Sequence, residues 1–171
     1  MSLASLPLRA LNLATQGANI LGALLIVGLV AIICADVAGR NLFGAPLPGV
    51  PEIISLSIVA IVFLQVPQAL RSGRLTRSDG LIMRLHGTRP RLATGLEVAF
   101  DLLGLLVVAT ILYAHSPILM RSITRDEYVG AVGALTIPTW PAKLMILIGA
   151  GLLALQFFSR IVLRLTGGAP R

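Results

Sequence analysis

Four long runs of uncharged, mostly apolar residues set the pattern of this chain. Ala10–Ala35 extends for 26 residues without a charge, Ile53–Leu70 for 18 and Leu102–Met120 for 19, and a fourth run begins near Trp140. A helix needs about 20 such residues to cross the roughly 30 Å hydrocarbon core of a bilayer. The pattern therefore predicts four transmembrane helices, over about 12–40, 52–71, 92–119 and 140–164.

The composition agrees with this pattern. Hydrophobic residues make up 56% of the 171 positions and charged residues 12%, and the mean hydropathy is +0.91. A soluble domain carries about 25% charged residues. We expect one all-α membrane domain over 1–171. The first run is too long for the apolar part of a signal peptide and lacks a clear cleavage site, so we expect it to be retained as a span.

The connection after the first span carries three charges. Asp36 and Arg40 are one helical turn apart and can pair on one face. Glu52 falls in the first turn of the next helix, where the helix dipole favours a carboxylate. Between them three prolines prevent the helix from continuing: Pro46, Pro48 and Pro51. The pattern predicts a sharp turn. In the second span, Pro67 predicts a kink or an early helix end.

A basic connection follows the second span. It carries a single acid, Asp79, and six arginines: Arg71, Arg74, Arg77, Arg84, Arg89 and Arg91. Leucine, isoleucine and methionine alternate with these charges, which predicts a short amphipathic helix at about 76–85 in the headgroup region. We expect Arg71, Arg74, Arg77 and Arg84 to contact lipid headgroups. A solvated loop is the alternative.

Acidic and aromatic residues mark the second half of the chain. Glu97 and Asp101 are one turn apart and repel each other, so they should face the bundle, the headgroups or a basic partner. Tyr128 and Trp140 are aromatics typical of a membrane interface. The segment 128–139 between them predicts an irregular surface segment, with a re-entrant segment as the alternative. Lys143 can extend outward from its helix end.

The distribution of basic residues predicts the orientation. With four spans, the two termini and the 71–91 connection lie on one side and carry ten of the fourteen basic residues. The basic side is normally cytoplasmic, so both termini should be cytoplasmic. The net charge of +7 follows from this topology. No aromatic-studded basic surface points to nucleic acid.

Candidate chemistry is sparse. His86 and His115 are too few and too far apart for bis-histidine haem, and one cysteine excludes a thiol–disulfide relay. No catalytic triad, metal cluster or phosphate loop is visible, so we expect no cofactor, no metal site and no catalytic residue. The residues alone predict a non-catalytic bundle beside another membrane protein. A membrane enzyme that uses Glu97 and Asp101, or a stand-alone scaffold or pore, is the alternative.

The order of these features resembles the small membrane subunit of TRAP transporters, the tripartite ATP-independent periplasmic carriers. The first span ends in the pattern Asp-x-x-x-Arg-x-x-Phe, followed by a Pro-Leu-Pro-Gly turn and a glutamate: Asp36, Arg40, Phe43, Pro46, Leu47 and Glu52. Gly73–Asp79, with its glycine, basic residues and aspartate, also matches. Near the end of the chain, the matching residues are Tyr128, Gly130 and Leu135–Trp140. Leu75 stands where many members carry a histidine, so no role is assigned there.

The resemblance implies three components in one sodium-coupled system for organic acids, of which this chain is one. This chain would be the small permease subunit in a bacterial inner membrane. It would anchor the static scaffold of a large membrane subunit and contribute to the dock for a periplasmic substrate-binding protein. The structural or partner-contact candidates are Asp36, Arg40, Glu52, Asp79, Glu97, Asp101 and Trp140.

Two structural hypotheses follow. Arg40 and Glu52 lie at facing ends of adjacent spans and would form an ion pair that fixes the turn. Separate extension of both side chains to water is the alternative. Glycines would permit close helix approach, or would only loosen the bundle. They are Gly17, Gly22, Gly28 and Gly39 on the first span and Gly149 and Gly151 on the last.

Overall fold

The computed structural model describes residues 5–74, 90–130 and 136–166. In these ranges the helices are α1 (Ser5–Phe43), α2 (Val50–Arg71), α3 (Pro90–Thr124) and α4 (Trp140–Leu165), and the strands are β1 (Tyr128–Val129) and β2 (Ile137–Pro138). All four helices are long and apolar enough to cross a membrane. The prediction of four helices able to span a membrane is confirmed, and the described chain is mostly helical but not all-α, because it also contains the two short strands. The predicted interfacial helix at 76–85, with Asp79, lies outside the described residues.

The ends of the helices follow local sequence. Gly49 precedes α2 with a left-handed backbone (φ 82°), and Pro51 occupies the first turn, where a missing N–H costs no helical hydrogen bond. At α4, Thr139 precedes the helix and Pro141 lies in its first turn. At Pro67 the sequence predicted a kink or an early helix end, and the early end does not occur. Helix α2 continues to Arg71, with Pro67 buried inside it.

The helices pack as a row. Helix α1 packs mainly on α2 and makes a smaller contact with α4, α2 packs on α4, and α4 packs on α3. Helices α2 and α4 therefore form the centre, and α1 and α3 the two edges. A small core of Leu70, Val108, Ala150 and Leu153 joins α2, α3 and α4. We call the end with Arg71 and Leu165 the basic end, and the end with the 44–49 connection the turn end.

A short hairpin covers part of the turn end. Strands β1 and β2 pair antiparallel, with Tyr128 opposite Pro138 and Val129 opposite Ile137. Gly130 follows β1 with a positive φ of 136°, a conformation that favours glycine. The described part of 128–139 is therefore a hairpin that brings Glu127 back to the start of α4.

Candidate partner interface

The turn between α1 and α2 is held by a single carboxylate. Asp36 is buried on the last turns of α1, and its Oδ1 accepts a hydrogen bond of 2.8 Å from the backbone N–H of Leu47. Its Oδ2 lies 3.1 Å from Nη2 of Arg40, which confirms the predicted pair between these residues. The turn also folds back on the helix, since the N–H of Ala45 donates to the carbonyl of Gly39 at 3.3 Å. One acid therefore fixes both the helix end and the proline-rich turn.

The hypothesis of an Arg40–Glu52 ion pair is wrong in this structure. Arg40 makes its ion pair with Asp36, which lies one turn earlier on the same helix, and it makes none with Glu52. A partner one turn away is reached without bending the chain, whereas Glu52 lies beyond the turn. Glu52 is half-buried in the first turn of α2, as predicted for a carboxylate at a helix N-terminus.

The two acids of α3 contact an arginine of α4. Nη1 of Arg164 lies 2.8 Å from Oε2 of Glu97, and its Nε lies 3.3 Å from Oδ2 of Asp101. Asp101 is 0% exposed and Arg164 5%. Within the described residues, neither Nε nor Nη1 of Arg164 forms a hydrogen bond, so its contacts with the two acids are ion pairs. The sequence left three surroundings open for these acids: the bundle, the headgroups or a basic partner. In the structure they face the bundle, where Arg164 is their basic partner.

A polar face of α4 connects this helix to α1 and α2 at the basic end. Nε2 of Gln156 donates to Oγ1 of Thr15 on α1 at 2.9 Å, and Nη1 of Arg160 donates to the carbonyl of Leu70 on α2 at 3.1 Å. With Arg164, these residues recur every four positions and form one stripe along the helix. Sequence reasoning missed all three. Their spacing of Gln-x-x-x-Arg-x-x-x-Arg was the signal that would have found them.

A second ion pair closes the turn end. Nζ of Lys143 lies 2.6 Å from Oε2 of Glu127, and this hydrogen bond lowers the pKa of the Glu127 carboxyl from its ordinary value of 4.5. The carbonyl of Glu127 accepts from the N–H and hydroxyl of Thr139, at 3.0 and 3.1 Å. The buried hydroxyls of Thr139 and Ser122 lie 2.7 Å apart. The expected outward extension of Lys143 is replaced by a contact with the hairpin, while Trp140 remains exposed.

Glycines differ in how closely other helices approach them. A Cβ on Gly149 of α4 would lie 2.2 Å from the carbonyl oxygen of Phe63, and one on Gly22 of α1 would lie 2.9 Å from Cγ of Gln65. Pro67 cannot supply the helical N–H that the Phe63 carbonyl would otherwise accept. Glycine therefore lets α4 lie directly against that carbonyl. A Cβ on Gly39 would lie 3.0 Å from the carbonyl oxygen of Ala45, which belongs to the turn and not to another helix. A Cβ on any of the other three glycines of the hypothesis would have no neighbour within 4 Å: Gly17, Gly28 and Gly151.

Large apolar side chains remain exposed on the two edge helices. On α1 they include Leu13, Leu24 and Val27, at 63 to 70% exposure. On α3 they include Leu106, Tyr113 and Met120, at 62 to 85%. A bilayer or a membrane partner can cover such faces without cost.

Within residues 5–74, 90–130 and 136–166, no group of three His, Cys, Asp or Glu side chains could hold a metal ion. The charged residues that sequence predicted divide between two places. Asp36, Arg40 and Glu52 belong to the turn end, whereas Glu97 and Asp101 belong to the basic end. The structure therefore separates these residues into two groups, one at each end of the helices, and both groups make structural contacts.

Comparison with known proteins identifies the family. Residues 29–167 match the family model described as tripartite ATP-independent periplasmic transporters, DctQ component. Comparisons with curated proteins and with solved structures gave no significant match. The family match begins inside α1 and includes the turn, α2, α3, the hairpin and α4. Membership implies association with a large membrane subunit and a substrate-binding protein. The chain belongs to the DctQ family and is the small membrane component of a TRAP transporter.

Proposed function

We propose that this chain is a single transmembrane domain that serves as the non-catalytic small permease subunit of a sodium-coupled TRAP transporter for organic acids. It lies in a bacterial inner membrane with both termini in the cytoplasm. There it widens and anchors the static scaffold of the large subunit, and it contributes to the periplasmic surface on which the binding protein docks. The excess of basic residues at one end supports this orientation.

The observation that carries the static role is the row of helices with bonds at both ends. At the basic end, Gln156, Arg160 and Arg164 connect α4 to each of the other three helices. At the turn end, Lys143 connects α4 to the residues that follow α3. Buried polar contacts between helices resist sliding, because separating them would leave unsatisfied groups in hydrocarbon. A row fixed in this way suits a scaffold.

The turn supports the docking role. Asp36 fixes its backbone through Leu47, while Leu42 and Phe43 beside it are 75 and 81% exposed. An exposed apolar surface whose backbone is already held in one shape binds a soluble partner with less loss of conformational entropy. The candidate residues Asp36, Arg40 and Glu52 would then act by holding this surface in shape.

The structure favours the transporter role over a membrane enzyme. An enzyme would need Glu97 or Asp101 available as an acid or base, and both carboxylates contact Arg164 in a buried ion pair. We further propose that four arginines of the connection after α2 contact lipid headgroups: Arg71, Arg74, Arg77 and Arg84. Arg77 and Arg84 lie outside the described residues. Asp79 and Trp140 remain candidates for partner contacts, Trp140 because it is exposed at the start of α4.

Reconstitution tests the function. Proteoliposomes would contain this chain alone, the large subunit alone, or both, with the binding protein and an organic acid outside. We expect uptake only with both subunits and an inward sodium gradient. Uptake by this chain alone would indicate a carrier or pore, and full uptake by the large subunit alone would contradict the scaffold role. Uptake unchanged when potassium replaces sodium would contradict the coupling.

Docking and orientation need separate measurements. A photo-crosslinker at Phe43 should capture the binding protein, whereas the same group at Leu165, which is 71% exposed at the basic end, should not. Equal capture at both positions would contradict the docking surface. Reporter tags should place both termini in the cytoplasm, and tags on opposite faces would overturn the four-span orientation.

A further inference from the structure

A groove of about 570 Å³ lies between α1 and α2 toward the basic end. Its wall is part polar and part apolar: Asn19, Val62, Gln65, Val66, Gln68, Ala69, Ser72 and Arg74. Most of these residues come from α2, and Asn19 comes from α1. Gly22 makes room for the polar part, because Cγ of Gln65 would lie only 2.9 Å from a Cβ at that position.

Two amides in this groove have no partner within the described part of the chain. The side chains of Asn19 and Gln65 are half-buried and make no hydrogen bond there. Gln65 precedes Arg71, the last residue of α2, by six positions, which places it about 9 Å along the helix from that end. An amide without a partner at membrane depth is costly. The groove therefore calls for an occupant that brings hydrogen-bond acceptors into the bilayer.

The chemistry of the groove changes along its length. Arg74 and Ser72 lie at the water end and are exposed, the amides of Asn19 and Gln65 lie deeper, and Val62 lies deepest on α2. This order matches a phospholipid, which presents a phosphodiester, then ester carbonyls, then acyl chains. We propose that the groove is a binding site for one membrane phospholipid, with its phosphodiester at Arg74 and its ester carbonyls at the two amides.

A lipid fits these groups better than a helix of another subunit. The ester groups of a phospholipid accept hydrogen bonds, and the amide NH₂ groups of Asn19 and Gln65 can donate them. A transmembrane helix satisfies its own backbone groups, so it has no free main-chain acceptor to offer. The cation at the water end also complements a phosphate. The proposal requires only that α1 and α2 cross a bilayer, and it holds for either orientation of the chain.

Photolabelling tests the site. The membrane complex, purified through a tag on this chain, is placed in nanodiscs that contain phosphatidylglycerol with a photoactivatable acyl chain. We expect labelling of α2 near Val62 and Val66. The double variant Asn19→Leu, Gln65→Leu should lower this labelling about tenfold, a factor that corresponds to 1.4 kcal/mol. The matched control Gln16→Leu, an exposed amide on α1 outside the groove, should leave it unchanged.

Three further measurements distinguish a phospholipid from the other possible occupants of the groove. Arg74→Gln should lower labelling severalfold, whereas Arg9→Gln, which removes an exposed arginine of α1, should not. Excess inorganic phosphate should not compete, and full competition would show an anion site without lipid. Crosslinks from position 65 to the large subunit, or equal labelling of the double variant and its control, would overturn the proposal. Size-exclusion profiles must match between variants, and native mass spectrometry of the same samples counts retained phospholipid independently of labelling.

Discussion

The ion pair of Arg164 with the acids of α3 gives the sharpest prediction of stability. Replacing Arg164 by methionine keeps most of the apolar stem but removes the guanidinium that contacts Glu97 and Asp101. The substitution therefore removes a cation that lies 3.3 Å from the carboxylate of Asp101, which is fully buried. The structure therefore predicts a large loss of stability from one substitution near the end of the last helix.

The magnitude follows from burial and distance. At an effective dielectric constant of about 20, unit charges 3.3 Å apart attract by about 5 kcal/mol. Removing one partner of a buried pair costs about 3–5 kcal/mol. Glu97 is 21% exposed, and water compensates for part of its loss, so Glu97→Gln should cost only about 1 kcal/mol. Asp101 should account for most of the effect.

The assay is unfolding in mixed detergent micelles, followed by circular dichroism as the fraction of denaturing detergent rises. Arg164→Met should lower the free energy of unfolding by about 3–5 kcal/mol. The matched control is Arg9→Met on α1, where the side chain is exposed, and it should change the value by less than about 0.5 kcal/mol. The double variant Arg164→Met, Asp101→Leu should recover part of the loss, since a buried pair replaced by apolar residues is often nearly neutral.

Two results would refute this reasoning. The first is a loss for Arg164→Met no larger than that of Arg9→Met. The second is a double variant whose loss equals the sum of the two single losses, because contacting residues should show a coupling energy of about 0.5–3 kcal/mol.

Three other predictions concern the turn, the helix contact and the hairpin. Asp36→Ala should speed amide hydrogen exchange at Leu47 about tenfold, because the N–H loses its 2.8 Å acceptor. Gly149→Ala should lower the free energy of unfolding by about 1–3 kcal/mol through overpacking, whereas Gly151→Ala, where the space is open, should be nearly neutral. The lowered pKa of Glu127 means that its contribution to hairpin stability is present above pH 4.5 and is lost as the pH falls through its folded pKa. The protection factors of the hairpin amides, taken relative to the intrinsic exchange rate at each pH, should therefore fall below pH 4.5 in the natural chain but not in Glu127→Gln.

Each of these has a distinct contrary outcome. Unchanged exchange at Leu47 would show that the prolines alone hold the turn. Equal effects of alanine at Gly149 and Gly151 would mean that α2 and α4 do not approach closely. Hairpin exchange with the same pH dependence in Glu127→Gln would assign the transition to another group.

Local rules predicted the features that depend on neighbours in sequence. Asp36 and Arg40 pair because they are one turn apart, and the prolines end α1 because they cannot continue a helix. Contacts between residues on different helices were harder to predict from the sequence. Arg40 was assigned to Glu52, and the partner of Glu97 and Asp101 was left open, because the rotation of each helix about its axis is not encoded by hydropathy alone.

The sequence by itself determined that this is a membrane protein with four spans, because run length and charge content decide whether a segment is more stable in hydrocarbon than in water. It also determined where the chain must turn. Only the tertiary structure decided that α2 and α4 are central, that Gly149 lies against the carbonyl of Phe63, and that Arg164 meets Asp101. Helices of equal hydropathy can be packed in many orders, and what selects among them is close contact between particular small and polar residues.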